Sequence, residues 1–493
     1  MSSTSGVRPV NTYVIRRISA TMRHMRDLGG GRAKLVATIG PASVDHIPEL
    51  LAAGMDVARI NLSHGTDADH ALAIARVLEA DATAAVLVDL PGPKIRLGDL
   101  EAPTVELTTG DGFVLRPSND SPGDASGAHV GYPGLGDDLR PGDRILLADG
   151  AAELRVVSAD GDVRTEVVRG GPIRPRAGVS VPSERLSRPT LTEEDRRGAP
   201  RAAALGAHYL AQSFVRRADD IRELRALTGS AALPIVAKIE TRAAVDDFDD
   251  VARAADAVMI ARGDLGVELP FEDVPIIQKQ LVRRALDLGV PAIVATQMLE
   301  SMVMAPRPTR AEASDVANAI FDGADAILLS AETAIGEHPV LAVETASRIA
   351  AACDRSGASY VAPGRGPTVE TDADALAYAA VSLAGTDPDV RAVACYTRSG
   401  RTARILSALR PRVPILAFSP DPVVVAELAL VHGVHARPCD APAADARLAF
   451  LSAQLSEESG LSAGSAVVLV ASTAAPGSGP NLLEVARVSR TNS

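Results

Sequence analysis

The stretch PIVAKIETRAAVDDFDDVARAADAVMIARG, residues 234–263, decides the fold. It opens on a short apolar run of strand character, passes through an Ala- and Arg-containing helical segment, and closes on a second apolar run that ends in Arg262 and Gly263. A strand, a helix and a strand in that order form the repeating unit of a parallel sheet. The same alternation continues on both sides. Eight candidate strands follow in chain order: KLVATIG (34–40), VARINLS (57–63), AAVLVDL (84–90), AHYLAQSF (207–214), PIVAKIE (234–240), AVMIARG (257–263), PAIVATQ (291–297) and AILLSAE (326–332). Eight such units predict an α/β fold of the TIM (β/α)8 barrel type.

The intervals between these runs suit a helix and two loops, except between the third and the fourth. Residues 98–186 fill that gap with Gly, Pro, Asp and short Val/Leu runs such as GFVLRP, RILLADG and ELRVVS, the composition of an inserted small β-barrel lid. Beyond residue 360 the βα pattern restarts, which predicts a separate C-terminal α/β domain. The expected organisation is an N-terminal extension at 1–30, barrel at 31–97, lid at 98–186, barrel again at 187–360 and the last domain at 361–493. Within the extension, Tyr13 to Met25 reads as a short helix.

Apolar residues make up 46% of the 493, so the chain is globular rather than disordered. With 62 acidic and 50 basic side chains the net charge is −12, which argues against nucleic acid and anionic membranes as partners. Cys353, Cys395 and Cys439 lack metal-type spacing, and an odd number does not suggest a disulfide framework; a reducing cytoplasm is expected. Arg16, Arg17, Arg23 and Arg26 are followed by no apolar segment of signal type, and no stretch of about 20 apolar residues occurs, so neither secretion nor a membrane span is expected.

Polar residues collect where the apolar runs end, which is where barrel enzymes build their sites. The second run ends in Arg59, Asn61, Ser63 and His64, and the third in Asp89 with Lys94 and Arg96 behind it. Ser213 ends the fourth, Lys238 and Glu240 the fifth, Arg262, Gly263 and Asp264 the sixth, Thr296 the seventh, and Ser330 and Glu332 the eighth. Lys238 and Glu240 are two apart on a strand and share a face, either as a buried ion pair or as site residues. Glu240 and Asp264 offer carboxylate oxygens of the kind Mg2+ takes alongside substrate oxygens and water; a salt bridge from Asp264 to Arg262 is the alternative. Arg59, Arg96 and Lys238 suit a phosphoryl group. Together the set reads as a phosphoryl-transfer site.

These residues lie in KLVATIGPAS, GMDVARINLSHG, VAKIE, ARGDLGVELP, ATQMLESM and PRPTRAEASDVANAIFDGADAILLSAET. In this order the motifs resemble the pyruvate kinase family, and the likeness runs from Arg32 to Val488. The resemblance implies transfer of phosphate from phosphoenolpyruvate to ADP in glycolysis, in the cytoplasm, with Mg2+ or Mn2+ as cofactor and a homotetrameric assembly. It implies that Arg59 and Lys238 stabilise the moving phosphoryl group. Arg96, Gly263, Asp264 and Thr296 would also contact substrate, and Glu240 and Asp264 would hold the metal. Thr296, near Ser330 and Glu332, would stand on the proton path to the enolate carbon, and Asn61 and His64 on the nucleotide side. TRSGRT (Thr397, Arg398, Ser399, Gly400, Arg401, Thr402) is similar to the effector-phosphate loop of allosteric members; taken alone it could equally be a helix cap.

Two departures bear on the nucleotide side: Arg176-Ala177 replaces the family's frequent Lys-Lys, and Ala148-Asp149-Gly150 its Asp-Asp-Gly. A third bears on K+. Asn61, Ser63 and Asp89 match residues that bind it, but K+-dependent members carry Thr-Lys-Gly-Pro-Glu where this chain has Leu90-Pro91-Gly92-Pro93-Lys94. The resemblance is therefore to the bacterial K+-independent group, with the Lys94 ammonium in place of the cation. The rival readings are another barrel enzyme of phosphoenolpyruvate or pyruvate-enolate chemistry, and a specialised or regulatory paralogue with altered nucleotide use.

Overall fold

The computed structural model describes residues 32–81, 84–117, 121–229, 233–356, 371–458, 460–472 and 480–489. The expected extension at 1–30, its Tyr13–Met25 helix and the expected boundary at 360/361 lie outside them.

Eight parallel strands close a barrel: β1 (Lys34–Thr38), β2 (Val57–Asn61), β3 (Ala85–Asp89), β4 (Tyr209–Gln212), β5 (Ile235–Ile239), β6 (Ala257–Ala261), β7 (Ala292–Ala295) and β8 (Ala326–Leu329). Each pairs with its sequence neighbours, and β8 returns to β1. The expected barrel is the observed one. Strand alternation sorts the side chains. Val36, Val57, Leu87, Tyr209, Val236, Met259, Ile293 and Leu328 fill the interior, while Leu35, Val86, Leu210, Ile235 and Ile260 face outward among the surrounding helices. The helices begin on signals visible in the sequence. Thr66 with Asp69, Thr192 with Asp195, and Thr309 with Glu312 form reciprocal capping boxes that satisfy otherwise orphaned amides.

Between β3 and β4 a separate, mostly-sheet domain is inserted. Six strands, Val179–Ser180, Arg144–Leu147, Ala152–Asp160, Asp162–Arg169, Gly112–Arg116 and Gly127–His129, lie side by side in that order. A two-stranded ribbon of Val105–Leu107 and Gly171–Ile173 completes it, around a core of its own that includes Phe113, Leu115, Ile145 and Leu154.

The C-terminal domain is a five-stranded sheet of β9 (Val390–Tyr396), β10 (Ile415–Ser419), β11 (Val434–Pro438), β12 (Ala466–Ala471) and β13 (Leu482–Arg487), in the order β11-β10-β9-β12-β13. Only β13 runs antiparallel to its neighbour. This domain seals the barrel's N-terminal end: Ala426 and Leu430 join the interior cluster, and the Tyr209 hydroxyl donates to the Glu427 carbonyl. A buried pair, Arg410 with Asp325 at 2.9 Å, locks the junction. The opposite, C-terminal mouth remains for chemistry. No described helix is long and apolar enough to cross a membrane.

Candidate active site

The alternation that points Val57, Leu87, Ala211 and Val236 into the barrel also points Arg59, Asp89, Ser213, Lys238 and Glu240 inward, one or two steps nearer the mouth. Asp89 is at the centre. Its carboxylate accepts Arg59 Nε at 2.8 Å and lies 2.7 Å from a second Arg59 nitrogen, while the other oxygen lies 3.3 Å from Lys238 Nζ. Burial would raise its pKa, but Lys238 and Arg59 prevail and hold it below the ordinary carboxylate value. The third Arg59 contact is to Thr38 Oγ1 at 2.9 Å, so the guanidinium is fixed before any substrate arrives.

Lys238 Nζ donates to Ser213 Oγ at 2.7 Å and stands 2.9 Å from Glu240 Oε1. Burial works to lower its pKa, yet the carboxylates of Asp89 and Glu240 outweigh it and raise the value, so the ammonium is retained at neutral pH. Lys238 and Glu240 are thus an ion pair, as one sequence reading had it. The pairing does not exhaust them: Lys238 is a cation held at the mouth, and Glu240 is pushed above its ordinary value by burial and by the neighbouring charge of Asp264, against Lys238. Carboxylates close enough for one to raise the other form a site where a cation is favoured. Among the described residues no group of three or more His, Cys, Asp or Glu could hold a metal, so an ion here would have Glu240, Asp264 and otherwise substrate or water oxygens. That donor set fits Mg2+ or Mn2+ better than Zn2+.

The salt bridge from Asp264 to Arg262, one sequence alternative, does not form. Arg262 turns to Asp315 at 2.6 Å and donates to the Thr296 carbonyl at 2.5 Å. Asp264 instead faces Lys94, whose Nζ is 3.3 Å away. Gly92 permits this approach of the loop after β3: its φ is +67°, and a Cβ there would come within 2.9 Å of Ser213 and Phe214 side-chain carbons.

Thr296 and Gln297 have φ of 73° and 54°, sparsely populated for side chains of this type. Arg262 holds their carbonyls from one side. The Gly263 amide donates to Thr296 Oγ1 at 2.8 Å, so the hydroxyl's own hydrogen is left to be donated. Glu332 is fully buried and its two oxygens accept the amides of Leu299 and Ser330, at 3.0 and 2.7 Å; it braces this loop. Left-handed residues cluster around the mouth, since Phe214, held by Glu240 Oε2 at 2.8 Å, and Ala148, Asp149 and Arg176 of the inserted domain also have positive φ.

On the other rim, Asn61 Oδ1 accepts the Ser63 amide, and Ser63 and His64 are exposed. Partial burial, then the charges of Arg96, Arg59 and Lys94, push His64 below its ordinary pKa, which places it beside the cationic side of the mouth. Arg96 is exposed on the first connection to the inserted domain and donates to the Arg176 carbonyl at 3.2 Å. The Asp149 and Lys94 side chains both come within reach of Gly178, so the Ala148–Gly150 and Arg176–Gly178 loops overhang Lys94. Thr397 to Thr402 lie elsewhere, after β9 in the C-terminal domain. Thr397 is buried, and Gly400, at φ 75°, precedes the helix Arg401–Ala408. Close by, a cavity of about 520 Å³ is lined by residues that include Arg398, Asp421 and Arg447.

The strand-end pattern in the sequence named most of the mouth but not the roles of Arg262 and Thr38. Arg262 and Thr38 do stand at strand ends, the signal that marked the others.

The family description "Pyruvate kinase, barrel domain" matches residues 31–343, and "Pyruvate kinase, alpha/beta domain" matches residues 374–486. The pyruvate kinase of Geobacillus stearothermophilus is 42% identical over 424 residues, which cover 82% of this chain and 71% of that protein. That of Clostridium perfringens (strain 13 / Type A) is 38% identical over 422 residues, 83% of this chain and 89% of the relative. That of Mycobacterium tuberculosis (strain ATCC 25618 / H37Rv) is 41% identical over 415 residues, 82% and 86%.

Proposed function

The chain belongs to the pyruvate kinase family, and from that premise we propose that its barrel mouth transfers the phosphoryl group of phosphoenolpyruvate to ADP, giving pyruvate and ATP. The observation that carries this reading is the fixed cation pair Arg59 and Lys238, both anchored on buried Asp89, facing the two-carboxylate site of Glu240 and Asp264.

Phosphoryl transfer asks little covalent work of a protein; it asks for positioning and charge neutralisation. Arg59 and Lys238 are preorganised donors at the point where charge spreads over the phosphoryl oxygens. A divalent ion at Glu240 and Asp264, Mg2+ or Mn2+, would add electrostatic stabilisation of the phosphoryl and enolate oxygens. Gly263 and the Asp264 helix start bring backbone to the substrate side. Thr296, whose hydroxyl hydrogen is left to be donated, would relay a proton to the enolate carbon through water. Asn61, His64 and Arg96 line the side where the nucleotide would enter, and closure of the inserted domain as a lid would exclude water.

Lys94 bears on the monovalent cation. Its ammonium is partly buried and paired with Asp264, so it places a fixed positive charge beside the substrate site where a K+ near Asn61, Ser63 and Asp89 would otherwise act. At short range it would repel K+ by several kcal/mol, taking an effective dielectric of about 20. The test of function and of this assignment is one experiment: pyruvate formation coupled to lactate dehydrogenase, with Mg2+ and bulky organic cations only. Near-full activity without K+ is expected for the parent, and partial K+ activation for Lys94→Glu. No pyruvate under any salt overturns the function; activity only after K+ addition overturns the role of Lys94.

The Thr397–Thr402 loop, with the adjoining Arg398, Asp421 and Arg447 cavity, supports an effector site for a phosphorylated metabolite in a homotetramer. Replacing Ser399 and Thr402 by Ala should abolish activation by sugar phosphates or nucleoside monophosphates and spare the basal rate. Should no such metabolite shift the parent's saturation curve for phosphoenolpyruvate, the loop is a helix cap.

A further inference from the structure

Two segments join the lid to the barrel, residues 90–98 outgoing and 181–187 returning, and one short helix, Arg262–Glu268, holds both. Near its start Asp264 pairs with Lys94 of the outgoing segment at 3.3 Å. At its end Glu268 Oε2 accepts the Ser183 hydroxyl of the returning segment at 2.6 Å, and also the Arg242 amide at 2.8 Å. Arg242 opens the helix that follows β5, two residues beyond Glu240. One carboxylate oxygen therefore ties the lid's return, the segment leaving β5 and the helix that carries Asp264.

We propose that Glu268 is a positioning residue that seats the lid over the nucleotide side of the mouth through Ser183. The proposal rests on the phosphoryl-transfer reading above. Ser183 is buried and its bond to the carboxyl is short, so the returning segment cannot swing without breaking it. The lid loops that overhang Lys94 move with that segment. By this geometry Glu268 touches neither substrate nor the reacting atoms; it acts through the lid.

The surroundings also make the contact sensitive to pH. Burial pushes Glu268 up to about 7, with Glu184 adding to the rise and the Ser183 bond, the Arg242 amide and the Arg242 guanidinium opposing it. If Ser183 withdraws, water reaches the carboxyl and its pKa falls back toward the ordinary range. The seated state thus favours the neutral acid: its advantage is full at low pH and is lost as pH rises through about 7.

The test compares the full chain with Glu268→Ala, Glu268→Gln and Ser183→Ala. Loss of this buried hydrogen bond, which leaves one partner unsatisfied, predicts a KM for ADP raised about tenfold in Glu268→Ala and Ser183→Ala, with KM for phosphoenolpyruvate little changed. Glu268→Gln, whose amide oxygen can accept both donors but cannot ionise, should restore it. Dividing the parent's pH profile of KM for ADP by that of Glu268→Gln cancels the titration of ADP itself, and the ratio should rise from the ordinary carboxylate range up to about pH 7 and level off above it. Calorimetric ADP affinity reads the same differences without turnover, so the hinge is decided even if the parent makes no pyruvate, a result that would sink only the function. Parent-like ADP affinity in both Ala variants, equal defects in Glu268→Ala and Glu268→Gln, or a flat ratio each overturns the proposal.

Discussion

Lys238→Met is expected to lower kcat by on the order of 10²–10³ or more while divalent-ion binding persists, the loss typical of removing a preorganised donor from a site of developing charge. Lys238 is held by Asp89, Glu240 and Ser213, so its ammonium needs no reorganisation when substrate charge appears. The same contacts predict a second effect. Removing one member of a buried ionic cluster leaves the others uncompensated, at a cost of about 3–5 kcal/mol. A lowered Tm should therefore accompany the loss of turnover. Lys238→Arg keeps a charge for Asp89 and Glu240 but not the ammonium's position, and should fold with a kcat still far below the parent's. Turnover within about tenfold of the parent in folded Lys238→Met would mean that Lys238 does not stabilise the moving phosphoryl group.

Glu240→Gln and Asp264→Asn should raise the Mg2+ or Mn2+ concentration for half-maximal activity by about tenfold or more, since even changes next to metal ligands cost 10–100-fold. Each substitution removes one anionic oxygen donor with little change of shape. Glu240→Gln keeps an acceptor for the Phe214 amide, so the local backbone should hold. Asp264→Asn also loosens Lys94, whose charge then lacks its partner. Calorimetric titration with Mn2+ reads the binding directly. Unchanged divalent affinity in both variants would show that the ion, if any, lies elsewhere.

Both effects start from residues that the sequence singled out, and the reason is periodicity. Eight apolar runs with polar ends are readable from the chain alone because a parallel barrel must bury its strands on both faces, and a charge that continues the inward-facing positions past a strand's end then faces the mouth. Arg59, Asp89, Lys238 and Glu240 were legible on that ground. The insertion was legible as a break in the βα spacing, and the restart of that spacing marked the last domain.

Partners were not legible. Lys94 and Asp264 are 170 residues apart and Ser183 and Glu268 are 85 apart, and nothing in either local pattern says that they meet. Arg262 could have paired with Asp264 two residues away, but tertiary packing gave it Asp315 and the Thr296 carbonyl instead. Which end of the barrel the C-terminal domain closes was equally absent from the local pattern; it depends on Ala426, Leu430 and the Arg410–Asp325 pair finding the barrel floor. Local periodicity determines which face of a strand is buried and which residues crowd the mouth, because that depends on backbone geometry alone. The pairing of charges, and with it every pKa at the site, depends on distances across the closed barrel, and those exist only after the chain has folded.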